Sequence, residues 1–267
     1  SFHWIHGANS IALPESRQEN GPVGITKRQE AFFSLPNDDT IAGDNGTGWT
    51  WVAYPCASIL GASYNIEVAK DIGTHKSEDM LYLGYNGIYG PGCNLHRSPF
   101  GGRAFEYPSE DPILTGYTEA YETLGIESKG CLAYVKHFAL NDFETNRVNC
   151  GVWSTEQATR EIYLKAFEIV FRVGKASATM NSYTRIGTKW NGACEAMMKD
   201  ILRTEWGYDG IVISDWDTDG SGMSKIDGVL AGTNSFDGNR TKEELIKYKD
   251  NAKVCQAMRE SCKIIIY

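Results

Sequence analysis

The stretch GIVISDW, Gly210–Trp216, decides the reading of this chain. Ile211, Val212 and Ile213 are consecutive β-branched residues, which suits a strand buried on both faces, as parallel strands between helices are. Asp215 stands where that strand runs out, and in a barrel of parallel strands the C-terminal ends collect catalytic side chains. An Asp at this place equally starts a loop or caps the next helix. A second strand end bears on the choice. CLAYVKHF, Cys131–Phe138, is a mostly apolar run that stops abruptly in Lys136 and His137. Two basic side chains at a buried strand end are costly unless something anionic faces them. A single Lys or His there is more often half of a structural ion pair than a ligand group. The adjacent pair, opposite a strand-end Asp, favours a site in which Asp215 or a polar ligand is the partner.

Outward from these two strands, the sequence alternates. Ser154 with Gln157 forms a capping box, and Ala158, Ile162, Ala166, Ile169 and Val173 line one helical face that Gly174 closes. A strand at Ala176–Tyr183 follows, then a helix at Asn191–Gly207. Beyond Asp215 comes a weaker strand at Thr233–Phe236 and a last helix with Thr241 and Glu244 as its capping box. Upstream, the spacing predicts a helix from about Leu114 to Leu124 and another from Ser58 to a stop at Gly73. Gly21–Thr26 reads as the first short strand, with turns at Asn20-Gly21-Pro22 and Asp44-Asn45-Gly46. The glycine- and proline-rich run between Gly87 and Pro112 reads as an extended surface loop, of a length that tends to be functional. Alternating strands and helices imply a parallel sheet. Six or seven such units fit an α/β fold of the (β/α)8 barrel type, incomplete or irregular, better than an open sheet. A doubly wound sheet would want a glycine-rich phosphate loop after its first strand, and the sequence has none.

Bulk properties agree with one domain over residues 1–267, since a (β/α)8 barrel takes about 250 residues. Hydrophobic residues at 42% and charged residues at 22% supply a sizeable core. The net charge of -8 argues against nucleic acid or an anionic membrane as partner and suits a neutral ligand. No apolar run approaches the roughly 20 residues of a membrane span. The 7 cysteines are scattered and odd in number, several inside apolar runs, which predicts free thiols, a reducing compartment and hence a cytoplasmic location. The 5 histidines form no metal-ligand pattern, so no catalytic metal is expected. The chain starts at Ser1 without a Met and ends in the apolar run Ile264–Tyr267. Both ends look cut, as expected of one domain of a larger protein.

HRSPFGGRAFEYPSEDP, KHFALNDFETNR and GIVISDW, in this order and spacing, resemble the signature segments of glycoside hydrolase family 3, the β-glucosidases, β-xylosidases and relatives. The similarity runs from about Gly21 to Gly232. It implies a catalytic (β/α)-barrel and a retaining mechanism without cofactor. Under it Asp215 matches the nucleophile and Trp216 the aromatic beside the sugar ring. Arg103, Lys136 and His137 match the residues that hold the sugar's hydroxyls, and Tyr183, with Met180 near it, lies on the strand beside the nucleophile. Asn20 stands where most members have an Asp that binds distal hydroxyls. Glu106, Asn141, Glu144 and Arg147 match positions expected to fix the loops through ion pairs and hydrogen bonds. These roles are chemically coherent. A retaining glycosidase needs an ionised carboxylate that attacks the anomeric carbon and leaves again, and a nearby Lys136 is expected to lower the pKa of Asp215. The three basic residues offer donors to vicinal hydroxyls, and a planar Trp offers apolar area to a ring face.

The resemblance also sets expectations through its departures. An amide at Asn20 donates as well as accepts and carries no charge, which leaves the choice between gluco- and xylo-sugars to contacts near Asn20 and the loop around Asp44. The loop FALNDFETNR lacks the His of the N-acetylglucosaminidase branch. No segment matches the accessory α/β domain that carries the acid/base in most members. Glu144, Asp217 and Asp219 are candidates by default only, and the acid/base is expected outside this chain, on that domain or on a second chain. The expectation is therefore an exo-acting β-glycosidase with a carbohydrate substrate and a glycosyl-Asp intermediate. The alternatives are a non-catalytic sugar-binding barrel, or a transglycosylase or phosphorylase on the same scaffold. Self-association into a homo-oligomer is compatible with all of them.

Overall fold

A computed structural model describes residues 4–5, 7, 14–25, 52–217, 220–238 and 241–267. Its strands are β1 (Trp4–Ile5), β2 (Ser16–Asn20), β3 (Gly87–Tyr89), β4 (Leu132–Phe138), β5 (Gly151–Val152), β6 (Ala178–Asn181), β7 (Arg185–Ile186), β8 (Lys189–Trp190) and β9 (Ile211–Ile213). The main sheet has the order β1-β2-β3-β4-β6-β9. All its pairs are parallel except β1 with β2. A parallel bridge from Ile213 to Ser235 adds one more position beyond β9, where the weak strand at Thr233–Phe236 is expected. The short β5, β7 and β8 form a separate sheet. The helices are α1 (Ala57–Ala62), α2 (Ile66–Tyr82), α3 (Pro112–Glu127), α4 (residues 156–174, alternating α and π turns), α5 (Ala196–Glu205, with π turns), α6 (Lys225–Ala231), α7 (Thr241–Leu245) and α8 (Ala252–Ile266). No helix among the described residues is long and apolar enough to cross a membrane.

The two faces of the sheet bury different residues. Tyr89, Tyr134, Ala178, Met180, Ile211 and Ile213 pack together on the inner face. Val135, Phe138 and Val212 pack outward against Leu164, Phe167, Met198 and Leu202 of the helix layer. Burial on both faces explains the near-continuous apolar runs of β4 and β9. Among the described residues the strand order stays open, so the architecture is a curled parallel half-barrel, coarser than the closed ring expected from the sequence.

Several local expectations are corrected. The first parallel strand is Ser16–Asn20, not Gly21–Thr26: Pro22 bridges Gly24 in a tight turn, and Thr26, like the turn at Asp44-Asn45-Gly46, lies outside the described residues. The helix expected from Ser58 to Gly73 is two helices. Tyr64 takes a positive φ of 52°, and the Asn65 side chain caps α2 by accepting from the N–H groups of Glu67 and Val68. Gly73 lies inside α2 because a Cβ there would collide with the carbonyl of Glu122, as one at Gly125 would with that of Lys70. Reciprocal glycines thus set the close approach of α2 and α3. Helix α4 is capped by Thr155, not Ser154. Its wider π turns rotate the apolar face, leaving Ile162 and Val173 partly exposed and burying Leu164, Phe167 and Val170 instead. The run after Gly87 begins as strand β3, and its middle folds inward, so that Glu106 and Tyr107 are buried. The last helix is α8, capped by Asn251, beyond the short helix at Thr241.

Candidate active site

The C-terminal ends of the parallel strands meet at one cavity of about 430 Å³. Asp215, Asn20, Arg103, Lys136, His137, Met180, Tyr183 and Trp216 all line it, together with Tyr89, Glu144, Arg147 and Asp237. Alternation along β9 delivers Asp215: Ile211 and Ile213 point inward and Val212 outward, so the next inward position after Ile213 is Asp215. Lys136 and His137 arrive differently. Tyr134 and Lys136 follow the period of two, but the register with β6 shifts between Lys136 and Phe138. Beyond that irregularity His137 faces the cavity and Phe138 turns out to the helix layer, so two consecutive side chains share one face.

Asp215 is held by its own loop. Its Oδ1 accepts from the Trp216 N–H at 2.7 Å. Its Oδ2 is buried and accepts no hydrogen bond, standing 3.6 Å from His137 Nε2. Burial pushes the Asp215 carboxyl up from its ordinary value, with Arg103 and Lys136 offsetting part of the rise. As expected from the sequence, the Lys136 charge lowers the Asp215 pKa, but loss of solvent is the larger effect. Burial also holds His137 well below the ordinary imidazole range, with Arg103 and Lys136 adding to it, so the ring is neutral at neutral pH. Its Nδ1 lies 3.2 Å from the Tyr107 hydroxyl. The Tyr183 hydroxyl donates to the Trp216 carbonyl, which ties the aromatic loop after Asp215 to the end of β6.

The cations are pre-paired. Arg103 makes a bidentate contact to Glu106 at 2.8 and 2.7 Å. Lys136 Nζ lies 3.6 Å from Glu106 and donates to Asn20 Oδ1 at 3.3 Å. Arg147 donates to Glu144 at 2.7 Å and stacks its guanidinium 4.3 Å from the Tyr183 ring centre. Asn141 donates to the other Glu144 oxygen at 2.7 Å. Asp142 of the same loop accepts from the Leu95 N–H, stitching it to the segment after β3.

Burial pulls the Lys136 ammonium down to about 8, Glu106 opposing and Arg103 assisting. The sign gives a pH prediction for the full-length protein. As pH rises through about 8, Lys136 loses the charge and one of the donors a bound hydroxyl would use, and under the activity that the resemblance implies, kcat/KM for an aryl glycoside falls. On the acid side, kcat/KM falls as Asp215 takes up a proton, at a pH above that of an ordinary carboxylate. A profile flat from about pH 7 to about pH 9.5 would remove Lys136 from the binding step.

The default acid candidates separate. Asp217 is not part of the cavity lining: its oxygens accept from Ser221 and Lys225. Glu144 lines the cavity with both oxygens engaged, and Asp219 lies outside the described residues. Sequence reasoning passed over Tyr89 and Asp237 as site residues. Both stand at strand ends, and Phe-Asp-Gly after a short β-prone run carries the same signal as Asp215.

Comparison with known proteins identifies the family. The family model described as "Glycosyl hydrolase family 3 N terminal domain" matches residues 37–249. The chain belongs to glycosyl hydrolase family 3. Among its relatives, a "Probable beta-glucosidase I" of Emericella nidulans is 37% identical over 206 residues, 77% of this chain and 23% of that protein. An "Exo-alpha-(1->6)-L-arabinopyranosidase" of Bifidobacterium longum is 35% identical over 216 residues, 80% of this chain and 28% of that protein. The solved structure of beta-glucosidase 3B from Thermotoga neapolitana with α-D-glucose superposes with a TM-score of 0.85 at 27% identity, covering 98% of this chain and 37% of that one. This family 3 chain therefore spans about a quarter of the length of the curated relatives it matches.

Proposed function

We propose that this chain carries the nucleophile half of a retaining, exo-acting β-glycosidase that hydrolyses terminal β-glucosides or related sugars. The observation that carries the reading is Asp215 Oδ2, a buried carboxylate oxygen without a hydrogen bond in a cavity walled by Arg103, Lys136 and His137. In the first step Oδ2 attacks the anomeric carbon, and the bond to the leaving oxygen breaks as an acid protonates it. In the second, water attacks the same carbon, returns its proton to that acid's conjugate base and frees Asp215. The acid belongs outside the described residues, on an accessory domain or a second chain. A closed barrel, completed from the half-barrel described above, is part of the same proposal. The relatives carry names of different sugars, so the choice of sugar rests on this chain's own cavity.

Glu144 favours a second reading, a sugar-binding barrel without chemistry, because the default acid has both oxygens occupied. One experiment separates the two. The full-length protein is incubated with a 2-deoxy-2-fluoro glycoside bearing a dinitrophenyl leaving group, and its peptides are mapped by mass. The expected result is a stable sugar adduct on the peptide containing Asp215. No adduct supports the binder, and an adduct elsewhere overturns Asp215 as nucleophile.

A further inference from the structure

The cavity has two chemically different walls. Toward β4 stand the donors Arg103, Lys136 and His137. On the other side of β9, Ile213 bridges Ser235 and Asp217 bridges Gly238, both in parallel, so the segment that carries Asp237 runs alongside the one that carries Asp215. Asp237 is only 3% exposed and lines the cavity. Its backbone is anchored on both sides: its N–H donates to Ser214 Oγ at 3.0 Å, and its carbonyl accepts from the Asp217 N–H at 2.9 Å. Its carboxylate is engaged by the Tyr89 hydroxyl, and a carboxylate has lone pairs for further donors. Burial, and next the charge of the neighbouring Asp237, hold the Tyr89 hydroxyl neutral, and Tyr89 is the register partner of Asn20. Tyr89 and Asp237 thus line the cavity away from Arg103 and His137, while Asn20, whose Oδ1 accepts from Lys136, adjoins both groups.

A hexopyranose with its anomeric carbon over Asp215 also has two edges. One carries the vicinal hydroxyls, which suit a wall of donors. The other carries the ring oxygen and the hydroxymethyl group, whose O–H needs an acceptor. Resting on the glycosidase reading of this cavity, we infer that Asp237 is a specificity-determining residue that accepts a hydrogen bond from the C6 hydroxymethyl of a neutral hexose. A pentose offers no such hydroxyl to the buried carboxylate, and a uronic acid brings a second negative charge to it. Sites built to bond a particular hydroxyl discriminate strongly against analogues that lack it.

The test is direct binding by calorimetry to the full-length protein, with D-glucose, D-xylose and D-glucuronate as probes. Wild type should bind glucose at least about tenfold more tightly than xylose, the range expected for a hydrogen bond to a charged group, and glucuronate weakest. In Asp237→Ala the glucose affinity should fall at least about tenfold and that for xylose less than about threefold, so that the preference collapses. Asp237→Asn, nearly isosteric and with its backbone anchors intact, keeps the test valid if the Ala variant fails to melt cooperatively, and should relieve the discrimination against glucuronate. Equal losses for glucose and xylose, no loss for either, or a wild type without preference would overturn the assignment. Because the readout is binding, the two readings fail separately. A protein that selects glucose through Asp237 but takes no fluoroglycoside at Asp215 is a binder with this specificity, whereas one labelled at Asp215 whose preference ignores Asp237 refutes Asp237 alone.

Discussion

Asp215→Asn is expected to lower kcat of the full-length protein on an aryl β-glucoside by at least about a thousandfold, the several kcal/mol that a covalent catalyst contributes. The sugar's dissociation constant should stay within about tenfold. The split follows from the geometry. An Asn oxygen can still take the Trp216 N–H that Oδ1 takes now, so the loop and the aromatic keep their place. The lost group is Oδ2, which accepts no hydrogen bond, so the effect falls on the bond-forming step. Turnover and sugar binding measured on the same preparation check this. Retention of more than about one hundredth of wild-type activity would remove Asp215 from the nucleophile's role.

The second large effect lies away from the chemistry. Lys76 and Glu122 are both about 2% exposed, with Nζ 2.7 Å from Oε1, and Lys76 also donates to the Pro22 carbonyl at 2.6 Å. Beside them Glu119 is fully buried, its carboxyl pushed well up first by burial and next by the charge of Glu122, with Lys76 opposing. Lys76→Met leaves Glu122 as a buried charge without its cation and should destabilise the fold by about 3–5 kcal/mol. Denaturant titration of variant and wild type measures it, and a loss below about 1 kcal/mol would mean that the pair is compensated elsewhere. The lost bond to Pro22 also frees the turn that follows Asn20, so sugar affinity should weaken in the same variant even where it remains folded.

Where apolar pattern and chemistry coincide, the sequence was readable. β4 and β9 announce themselves because both faces are buried, and the polar residues that end them reach the cavity. Strand β2 was missed for the opposite reason: SRQEN is polar throughout, yet Gln18 and Glu19 are buried, and the strand is held by polar contacts such as Ser16 to Asn86 at 3.0 Å. A run of this kind carries no period-two apolar signal. Gly73 shows another limit, because a glycine that ends a helix and one that lets two helices touch are the same letter. β3, three residues long and followed by Gly-Pro-Gly, was absorbed into a loop, and Tyr89 with it. Asp237 was within reach of the rule that found Asp215, but its strand is reduced to a single bridge. Glu144 lines the cavity but has both oxygens engaged, so neither sequence nor geometry singles out an acid/base among the described residues.

The register shift in β4 bears on whether this site can be moved. Lys-His grafted onto a regular strand would send one side chain to the cavity and the other into the helix layer, because an unshifted strand alternates. A transplanted site would therefore need more than the Lys-His dipeptide. It would need the β6 backbone whose pairing jumps from Lys136–Met180 to Phe138–Asn181, together with the Phe167 and Phe171 rings that pack on the outward Phe138. The portable unit is a pair of strands with one aromatic cluster behind them, and designs that copy the motif alone should lose either Lys136 or His137 from the pocket.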